Sequence, residues 1–469
     1  MSTATRLDVL QVSTGDRGGG AERVAWNLFA ALRARGHRSA MAVGFRRNDD
    51  ADVRLISSRG NPWVRAWGGA IASGLRRYPE ARAAAAAVRA ARMLASPGAL
   101  LDALRGAENF RHPGTRELAA GSAPDILHLH NLHGGYFDLR ELPRLTRRQP
   151  TVATLHDAWM WTGHCSYTLG CDRWRHGCGH CPHLDTYPSL LRDGTAANWE
   201  RKQALYRDTR LHLAAPSRWL LDQVDHSMLA PAMIEGRVIR NGIDLEVFQP
   251  ASRNALRGPL GIDPDAVVVT FAANRYRNRR SWKDWPTVRE AVRLAGEALS
   301  ERTVHLFAIG DDADPTESLG RVRAHFIPHT DAPDELAPYM QAADVVVHAA
   351  RPEAENGSLV VLEALACGKP VIATAVGGVP EHIRGTSLGD DPTVAKLNPT
   401  DFAQADGTLV PPADPRRMAD AIVALATRPD ALEVMGRNAA RRAAAEYGLE
   451  GQVKAYVDWY REILSRPHA

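Results

Sequence analysis

The sequence lacks any long apolar run, and this absence excludes a membrane-spanning protein. None of the apolar stretches in its 469 residues approaches the ~18–20 residues that a helix needs to cross a bilayer. A secretory signal is also missing, because Arg6 and Asp8 precede only a short apolar segment at the start of the chain. We therefore expect a cytoplasmic protein.

The sequence also lacks a strong excess of charge of either sign. Its 58 Lys and Arg residues face 54 Asp and Glu residues, a formal net charge of +4, which does not predict a nucleic-acid partner. Apolar residues make up 45% and charged residues 24%, which are values of globular proteins and exclude a disordered or fibrous chain. Since domains commonly have about 100–200 residues, we expect two or three of them.

Cysteine is rare but clustered. Four of the five cysteines fall in one short segment, namely Cys165, Cys171, Cys178 and Cys181. In a reducing compartment, clustered thiols favour a metal site over disulfides. Four thiolates that include one Cys-x2-Cys pair suit a tetrahedral structural zinc ion, with free thiols or a disulfide as the alternatives. We define the Cys-rich loop as residues 164–183, whose histidines are substitute ligands: His164, His176, His180 and His183.

Short apolar runs alternate with helical patterns in two series. The first series predicts strands at 7–12, 39–45, 126–130 and 151–155 and a helix at 21–35. The second predicts strands at 267–272, 303–309, 324–327, 345–348 and 370–374 and helices at 285–299, 332–342 and 358–366. This alternation is typical of parallel α/β sheets, so we predict two facing, Rossmann-like doubly wound domains.

A basic segment interrupts the first series. Residues 61–115 carry many alanines and arginines and few acids, which predicts a helical insert. One interpretation is an Ala-rich packing hairpin with a solvated face. The other is an interfacial helix that contacts anionic lipid at the inner face of the membrane or guides a lipid-linked substrate.

Polar residues and glycines stand where predicted strands end. The turn Gly18-Gly19-Gly20 joins a strand to a helix, so its free N–H groups are a candidate anion site, although a tight turn without a ligand fits equally well. His130 and His156 end neighbouring strands, and the carboxyl ends of strands face the ligand crevice in open α/β sheets. A strand-end histidine is also often a structural hydrogen bonder. We predict a functional role for at least one of the two, with Asp157 as a candidate to orient His156.

Two glutamates flank the start of a predicted helix. Glu355 lies in a polar turn after a strand, Gly357-Ser358 opens the helix, and Glu363 follows within it. The amide dipoles of the helix start favour an anion, and a carboxylate inside the helix accepts hydrogen bonds from vicinal hydroxyls. The pair suits an anionic, hydroxyl-rich ligand such as a nucleotide sugar.

At this segment the chain resembles the family 4 glycosyltransferases, retaining enzymes of the GT-B fold. The likeness rests on the Glu-x7-Glu spacing and on the following Ala-Cys-Gly-Lys-Pro-Val-Ile-Ala-Thr and Gly-Gly-Val-Pro-Glu, within residues 355–381. Gly-Gly-Ala-Glu-Arg at 19–23 and Asn-Gly-Ile-Asp at 241–244 match as well. The Cys-rich loop is similar to that of a colanic-acid and exopolysaccharide subset.

The resemblance implies roles for individual residues. Glu355 would contact the donor sugar and Glu363 the nucleotide ribose, and the histidines would lie near the donor sugar and acceptor. The backbone amides of residues 356–359 would hold the diphosphate. The full set of predicted donor-binding residues is Gly19, Gly20, Arg275, Arg280, Lys283, Asn356, Gly357, Ser358, Leu359 and Glu363. The predicted catalytic residues are His130, His156 and Glu355.

The phosphate-binding cations are less clear. Lys283 matches the family's lysine, but Ala273-Asn274 replaces the usual Gly-Arg, so the arginine is open among Arg275, Arg279 and Arg280. Such a cation would stabilise the charge of the departing diphosphate. Residues 311–314 contain an Asp-x-Asp pattern that we interpret as a polar loop, and we predict no cofactor for catalysis.

The resemblance implies a transferase that moves a sugar from a nucleotide-sugar donor to a glycan or lipid-linked acceptor with retention of configuration. We expect an acceptor-side domain at 1–245, a donor-side domain at 246–445 and a C-terminal helix at 446–469 that packs back on the first domain. A nucleotide-sugar epimerase on the same fold and a non-catalytic zinc-loop binding protein are the alternatives.

Overall fold

A computed structural model describes residues 6–56, 101–102, 104–108, 112–119, 123–278, 281–311, 316–387 and 402–466. Most of the predicted basic insert, the pair Arg279 and Arg280, and Asp312 to Asp314 lie outside these residues. The expectations for them, including contact with a membrane, stay predictions. In the part of the chain that the structure describes, no helix is long and apolar enough to cross a membrane.

Seven parallel strands form the sheet of the first domain. They are β1 (Asp8–Gly15), β2 (Arg38–Phe45), β3 (Val53–Leu55), β4 (Ile126–Leu129), β5 (Thr151–Thr154), β6 (Leu211–Ala215) and β7 (Met233–Val238). Their spatial order is β3-β2-β1-β4-β5-β6-β7. Strands β4, β5 and β6 are buried along their whole length, as expected for a parallel sheet that is covered on both faces.

The helices of this domain follow its strands. They are α1 (Gly20–Ala34), α2 (Leu142–Arg148), α3 (Thr195–Tyr206) and α4 (Arg218–Asp225). In α1 the residues Val24, Leu28 and Leu32 recur at helical spacing and are buried. Gly36, with φ of +82°, lies just past its end, where a left-handed residue closes the helix without strain.

Eight strands form the sheet of the second domain. They are β8 (Val267–Ala272), β9 (Val304–Ile309), β10 (Thr316–Leu319), β11 (Val322–Ile327), β12 (Val345–His348), β13 (Val371–Thr374), β14 (Gly385–Ser387) and β15 (Gly407–Val410). Their order is β10-β11-β9-β8-β12-β13-β15-β14, and only β10 and β11 pair antiparallel. The prediction of two doubly wound, Rossmann-like α/β domains is confirmed.

The remaining helices belong to the second domain, except for the last one. They are α5 (Arg253–Arg257), α6 (Trp285–Ala298), α7 (Pro333–Ala342), α8 (Leu359–Ala366), α9 (Val379–His382), α10 (Pro415–Ala426), α11 (Pro429–Glu446) and α12 (Leu449–Leu464). Helix α12 instead shares a buried cluster with the first domain, in which Tyr456 and Trp459 pack with Leu28 of α1. The chain thus crosses back to the domain in which it starts.

Every strand and helix predicted in the two series has a counterpart within a few residues, but several strands were not predicted. Strand β6 carries a polar His212, and β7 alternates partly buried and exposed residues, which weakens the apolar signal of each. Strand β1 continues to Gly15 because Ser13 still pairs with Val43 of β2. Backbone pairing in the sheet therefore extends beyond the apolar residues.

Candidate active site

The carboxyl ends of the two sheets face each other across a cleft of about 490 Å³. The first domain contributes the loop after β1 and the end of β2, and the second contributes the segments after β8, β9 and β11. The lining residues are Thr14, Gly15, Arg17, Gly18, Gly19, Glu22, Phe45, Arg47, Tyr187, Asn274, Arg275, Gly310, Asp311, His329 and Asp331. Open α/β sheets bind ligands at this edge.

Beside the cleft, the predicted Lys283 and Glu355 form an ion pair. His348, at the end of β12, lies 3.4 Å through Nε2 from the Lys283 ammonium. Burial alone would raise the pKa of Glu355, but Lys283, with His348, holds that pKa below its ordinary value. Burial first, and then Lys283, lowers the pKa of His348 to about 4. The site thus holds a charged carboxylate, a cation and a neutral imidazole. His348 was not predicted, because a histidine inside an apolar strand pattern has no local signal of function.

Two glycines shape the turn that carries Glu355. The Gly378 N–H donates to the Glu355 carbonyl at 2.9 Å, and a Cβ added to Gly377 would come within 2.0 Å of the same oxygen. The predicted Asn356 donates through Nδ2 to the carbonyl of His156 in the first domain, at 3.1 Å, while its buried Oδ1 has no hydrogen-bond partner in the described part of the chain. The Gly357 carbonyl accepts from Asn241 at 2.9 Å. The turn therefore lies tightly between the two domains.

The predicted amide cradle is the start of helix α8. Ser358 is the N-cap, and its side chain makes no capping hydrogen bond with the helix. Leu359 is the first helical residue, and its Cδ1 would lie 3.6 Å from a Cβ added to Gly20. The first N–H groups of a helix have no partner inside it, so this end suits a phosphate.

Glu363 lies inside α8 with 1% of its side chain exposed, and it pairs with Arg23 of α1. Its Oε2 is buried and has no hydrogen-bond partner among the described residues. Burial raises the pKa of Glu363 even though Arg23 opposes that shift. An unsatisfied carboxylate oxygen costs free energy, which a hydroxyl donor would recover. Arg23 was only part of a matching motif in the sequence, and its partner 340 residues away was not predicted.

The turn Gly18-Gly19-Gly20 holds a carboxylate of the chain itself. A Cβ added to Gly19 would lie 3.1 Å from the Glu22 Oε2, and one added to Gly18 would lie 3.8 Å from it. Burial raises the pKa of Glu22, while the N–H groups of Glu22 and Gly19 favour its ionised form. The turn was predicted as an anion site, and the group nearest to it in this structure is Glu22.

The histidines at the strand ends form a hydrogen-bonded row. The Nε2 of His130 lies 2.8 Å from Gln11 Oε1, and its Nδ1 lies 3.0 Å from Nε2 of His156. Because an amide oxygen only accepts, His130 donates to Gln11 and accepts from His156, which leaves the lone pair of neutral His156 on Nδ1. Burial lowers the pKa of both rings, that of His156 to about 4. His130 is 3% exposed and reaches the half-buried His156 through this hydrogen bond, and its catalytic role stays a prediction.

Asp157 pairs with a histidine that was not predicted. Its Oδ2 accepts from Nε2 of His133 at 2.8 Å, in place of the expected contact with His156. Burial opposes the charge of His133, but Asp157 raises its pKa above the ordinary value of 6.5. His133 follows the end of β4 in a loop, where no period or spacing distinguishes it.

The predicted phosphate arginine Arg275 lines the cleft. It has φ of +50°, and its N–H donates to Gly310 at 2.7 Å. No side-chain partner of Arg275 is found within the described ranges. Arg279 and Arg280 lie outside the described residues, so the choice among the three arginines stays open.

Aromatic packing and one buried lysine lie next to the start of the Cys-rich loop. Trp161 and Trp174 pack edge to face at 6.5 Å. Lys202 is fully buried, lies over the ring of Trp159 at 3.5 Å and pairs with Glu108 at 3.1 Å.

The four predicted zinc ligands do not form a metal site in this structure. Among the described residues, no group of three or more His, Cys, Asp or Glu side chains is arranged to hold a metal ion. Cys178 accepts from the Gly163 N–H at 3.3 Å, and Cys181 lies 3.3 Å from Nε2 of His164. Burial raises the pKa of Cys165 to about 12 and that of Cys178 to about 11. The structural zinc stays a prediction.

The same loop crosses to the second domain. Thr168 donates to the carboxylate of Glu353, and the Gly170 N–H donates to it at 3.3 Å. Tyr167 packs on Trp282, the neighbour of Lys283, with ring centroids 4.5 Å apart. The loop therefore contacts both segments that carry the Lys283–Glu355 pair.

Two facing Rossmann-like domains, with the cleft and an ionic cluster between them, define a protein of the GT-B class. A solved structure agrees: HepE from Anabaena in complex with UDP has a TM-score of 0.56 at 15% identity, over 97% of this chain and 100% of that chain. At this identity the likeness shows the fold alone.

The family follows from the sequence comparisons. A model described as Glycosyltransferase Family 4 matches residues 18–247, and one described as Glycosyl transferases group 1 matches residues 268–428. Together they cover most of the chain, which belongs to the family 4 glycosyltransferases.

Two curated relatives are similar to the chain. A D-inositol 3-phosphate glycosyltransferase of Saccharomonospora viridis is 32% identical over 240 residues, 49% of this chain and 50% of that protein. The chain thus spans about half the length of this relative. A putative colanic acid biosynthesis glycosyl transferase, WcaC of Escherichia coli, is 25% identical over 311 residues, 62% of this chain and 71% of that protein.

Proposed function

We propose that the chain transfers a sugar from a nucleotide-sugar donor to a glycan or lipid-linked acceptor with retention of configuration. The observation that carries the proposal is the Lys283–Glu355 ion pair beside the start of α8, at the sheet edge that faces the first domain. A cation, a carboxylate and free helix N–H groups at one edge suit a diphosphate that is attached to a sugar.

In this proposal each part of the donor has a recognition group. The N–H groups at the start of α8 hold the diphosphate. Lys283 and one arginine among Arg275, Arg279 and Arg280 neutralise the charge that develops on it as the glycosidic bond breaks. Glu355 accepts from hydroxyls of the donor sugar. The unpartnered Oε2 of Glu363 accepts from a ribose hydroxyl, and Arg23 holds the other oxygen in place.

The first domain supplies the acceptor side. The half-buried His156 lies next to the Glu355 turn, since its carbonyl accepts from Asn356. Contacts of Asn356, Glu353 and Glu363 with the first domain keep the domains closed in this structure, and closure excludes water so that transfer outruns hydrolysis. Contact of residues 61–115 with a membrane surface belongs to the same proposal.

The test is donor binding and hydrolysis with UDP-, GDP-, dTDP- and ADP-sugars. UDP is the first choice because the related fold of HepE holds it. A donor present at 100 times its Kd would stabilise the wild type by about 2.7 kcal/mol. We expect this shift for one nucleotide class, its loss in Glu363→Gln and its retention in Glu433→Gln, which changes an exposed glutamate of α11.

Retention is tested by NMR, which identifies the anomer of the sugar that donor hydrolysis releases first. A product of inverted configuration would refute that part of the proposal. If no nucleotide sugar shifts the melting temperature or is hydrolysed, the donor site is refuted and a binding protein is the better explanation.

A further inference from the structure

The first-domain wall of the cleft exposes two aromatic rings. Phe45 is 44% exposed and Tyr187 is 48% exposed. Every other Phe, Tyr and Trp side chain that the structure describes is buried or only partly exposed, and these two line the same cleft. Aromatic rings are mostly buried in globular proteins, so two exposed rings in one polar cleft indicate that a ligand covers them.

A carboxylate lies on the same wall. Glu22 lines the cleft with the two rings, and Gly18 and Gly19 leave room for its Oε2. The ring of Tyr187 packs edge to face on His133 at 5.2 Å, and Gly44 packs on Tyr136, where an added Cβ would come within 2.4 Å. The segments that carry these cleft-lining side chains are therefore packed against buried residues of the first domain.

The two kinds of group are complementary to one class of ligand. A pyranose ring has an apolar face of C–H groups, which stacks on an aromatic ring, and a rim of hydroxyls, which donate to a carboxylate. Among the other polar groups of the wall, Arg17 and Arg47 carry N–H groups that can donate hydrogen bonds to hydroxyl oxygens.

We infer that Phe45, Tyr187 and Glu22 form a binding site for a pyranose ring of the acceptor, with the rings stacking on the sugar and Glu22 accepting from its hydroxyls. The site belongs to the first domain and lies across the cleft from Arg275. This inference rests on the proposed function, because it assigns the ring to the acceptor.

The test uses methyl α-glycosides of glucose, galactose and mannose as probes and the full chain as the receptor. Saturation-transfer NMR reports which ring protons contact the protein. We expect saturation of the ring protons of at least one glycoside, and none of the open-chain polyol sorbitol. Phe45→Ala and Tyr187→Ala should each reduce the signal at least five-fold.

Two further variants separate stacking from folding and from hydrogen bonding. Leu260→Ala changes an equally exposed apolar residue, 44%, that does not line the cleft, and it should keep the wild-type signal. Glu22→Gln should weaken binding about ten-fold while near-UV circular dichroism stays that of the wild type.

Each outcome decides between the two proposals. Wild-type signals in the Phe45 and Tyr187 variants, or no glycoside signal from a wild type that binds a nucleotide sugar, would overturn the inference alone. If the protein binds no nucleotide sugar but still gives a glycoside signal that is lost in the Phe45 and Tyr187 variants, the sugar-binding site is supported and the proposed transferase function is refuted.

Discussion

Removal of the Lys283 charge tests the ionic cluster most directly. Lys283→Met keeps the aliphatic stem and leaves Glu355 as a buried carboxylate without its main partner. Breaking a buried ion pair by removing one partner costs about 3–5 kcal/mol. Because the side chains of Lys283 and Glu355 are 13% and 9% exposed, we expect the lower end of that range.

The loss is large enough to measure by thermal unfolding. For a domain of about 150–250 residues, 1 kcal/mol shifts Tm by about 2–4 °C, so a loss of about 3 kcal/mol lowers Tm by about 6–12 °C. Loss of a charge that stabilises the leaving diphosphate should also reduce donor turnover by about 10²–10³-fold. The double variant Lys283→Met/Glu355→Gln removes the unpaired charge, so it should regain most of the Tm and none of the turnover.

The pH dependence has a defined sign. In the wild type the pKa of Glu355 lies below its ordinary value of 4.5, so its stabilising effect is present above that value and is lost as pH falls through the lowered pKa. Without Lys283, burial raises that pKa and the variant regains stability as Glu355 takes up a proton. The Tm difference between the two proteins should therefore shrink as the pH is lowered from 8 to 5. An unchanged Tm and turnover in Lys283→Met, or a Tm difference that grows at low pH, would refute the reasoning.

Three further predictions concern the contacts around the cleft. Thr168→Val removes the hydroxyl that donates to Glu353, and a hydrogen bond to a charged acceptor contributes about 1.5–3 kcal/mol. Its loss should speed deuterium exchange at the Gly170 N–H, which donates to the same carboxylate. His133→Asn removes the pair with Asp157. Since the pKa of His133 is raised above 6.5, the pair stabilises the fold below that value, and the Tm difference from wild type should fall as pH rises through the raised pKa. Metal analysis of the purified chain should find one zinc ion per chain, lost in Cys178→Ser, if the Cys-rich loop binds it.

These measurements have clear contrary results. Unchanged exchange at Gly170 would mean that the Glu353 contact does not hold the loop. A Tm difference for His133→Asn that is constant with pH would mean that folding does not raise the pKa of His133. If the purified wild-type chain contains no zinc and Cys178→Ser has the same Tm as the wild type, the structural zinc is excluded.

Local patterns predicted much of the fold and part of the site. The helix α8 and the strand β12 before it follow from an apolar run and its flanking polar residues, and the Glu-x7-Glu spacing placed Glu355 and Glu363 at the edge where they lie. The Cys-rich loop shows what such patterns leave out. Its cysteine spacing predicts a metal, and only the structure places Trp174 against Trp161, which lies just before the loop.

The sequence by itself determined the two doubly wound domains and the segments that carry Glu355, Glu363 and Lys283. Period and spacing decide such features, because each depends on neighbours a few residues away. Only the tertiary structure decided that Glu363 pairs with Arg23, that Asp157 pairs with His133 rather than His156, and that Phe45 and Tyr187 share one wall. These contacts join groups that are distant along the chain or that differ only in side-chain direction. Their energies depend on burial and on the closing of one domain on the other, which local sequence does not record.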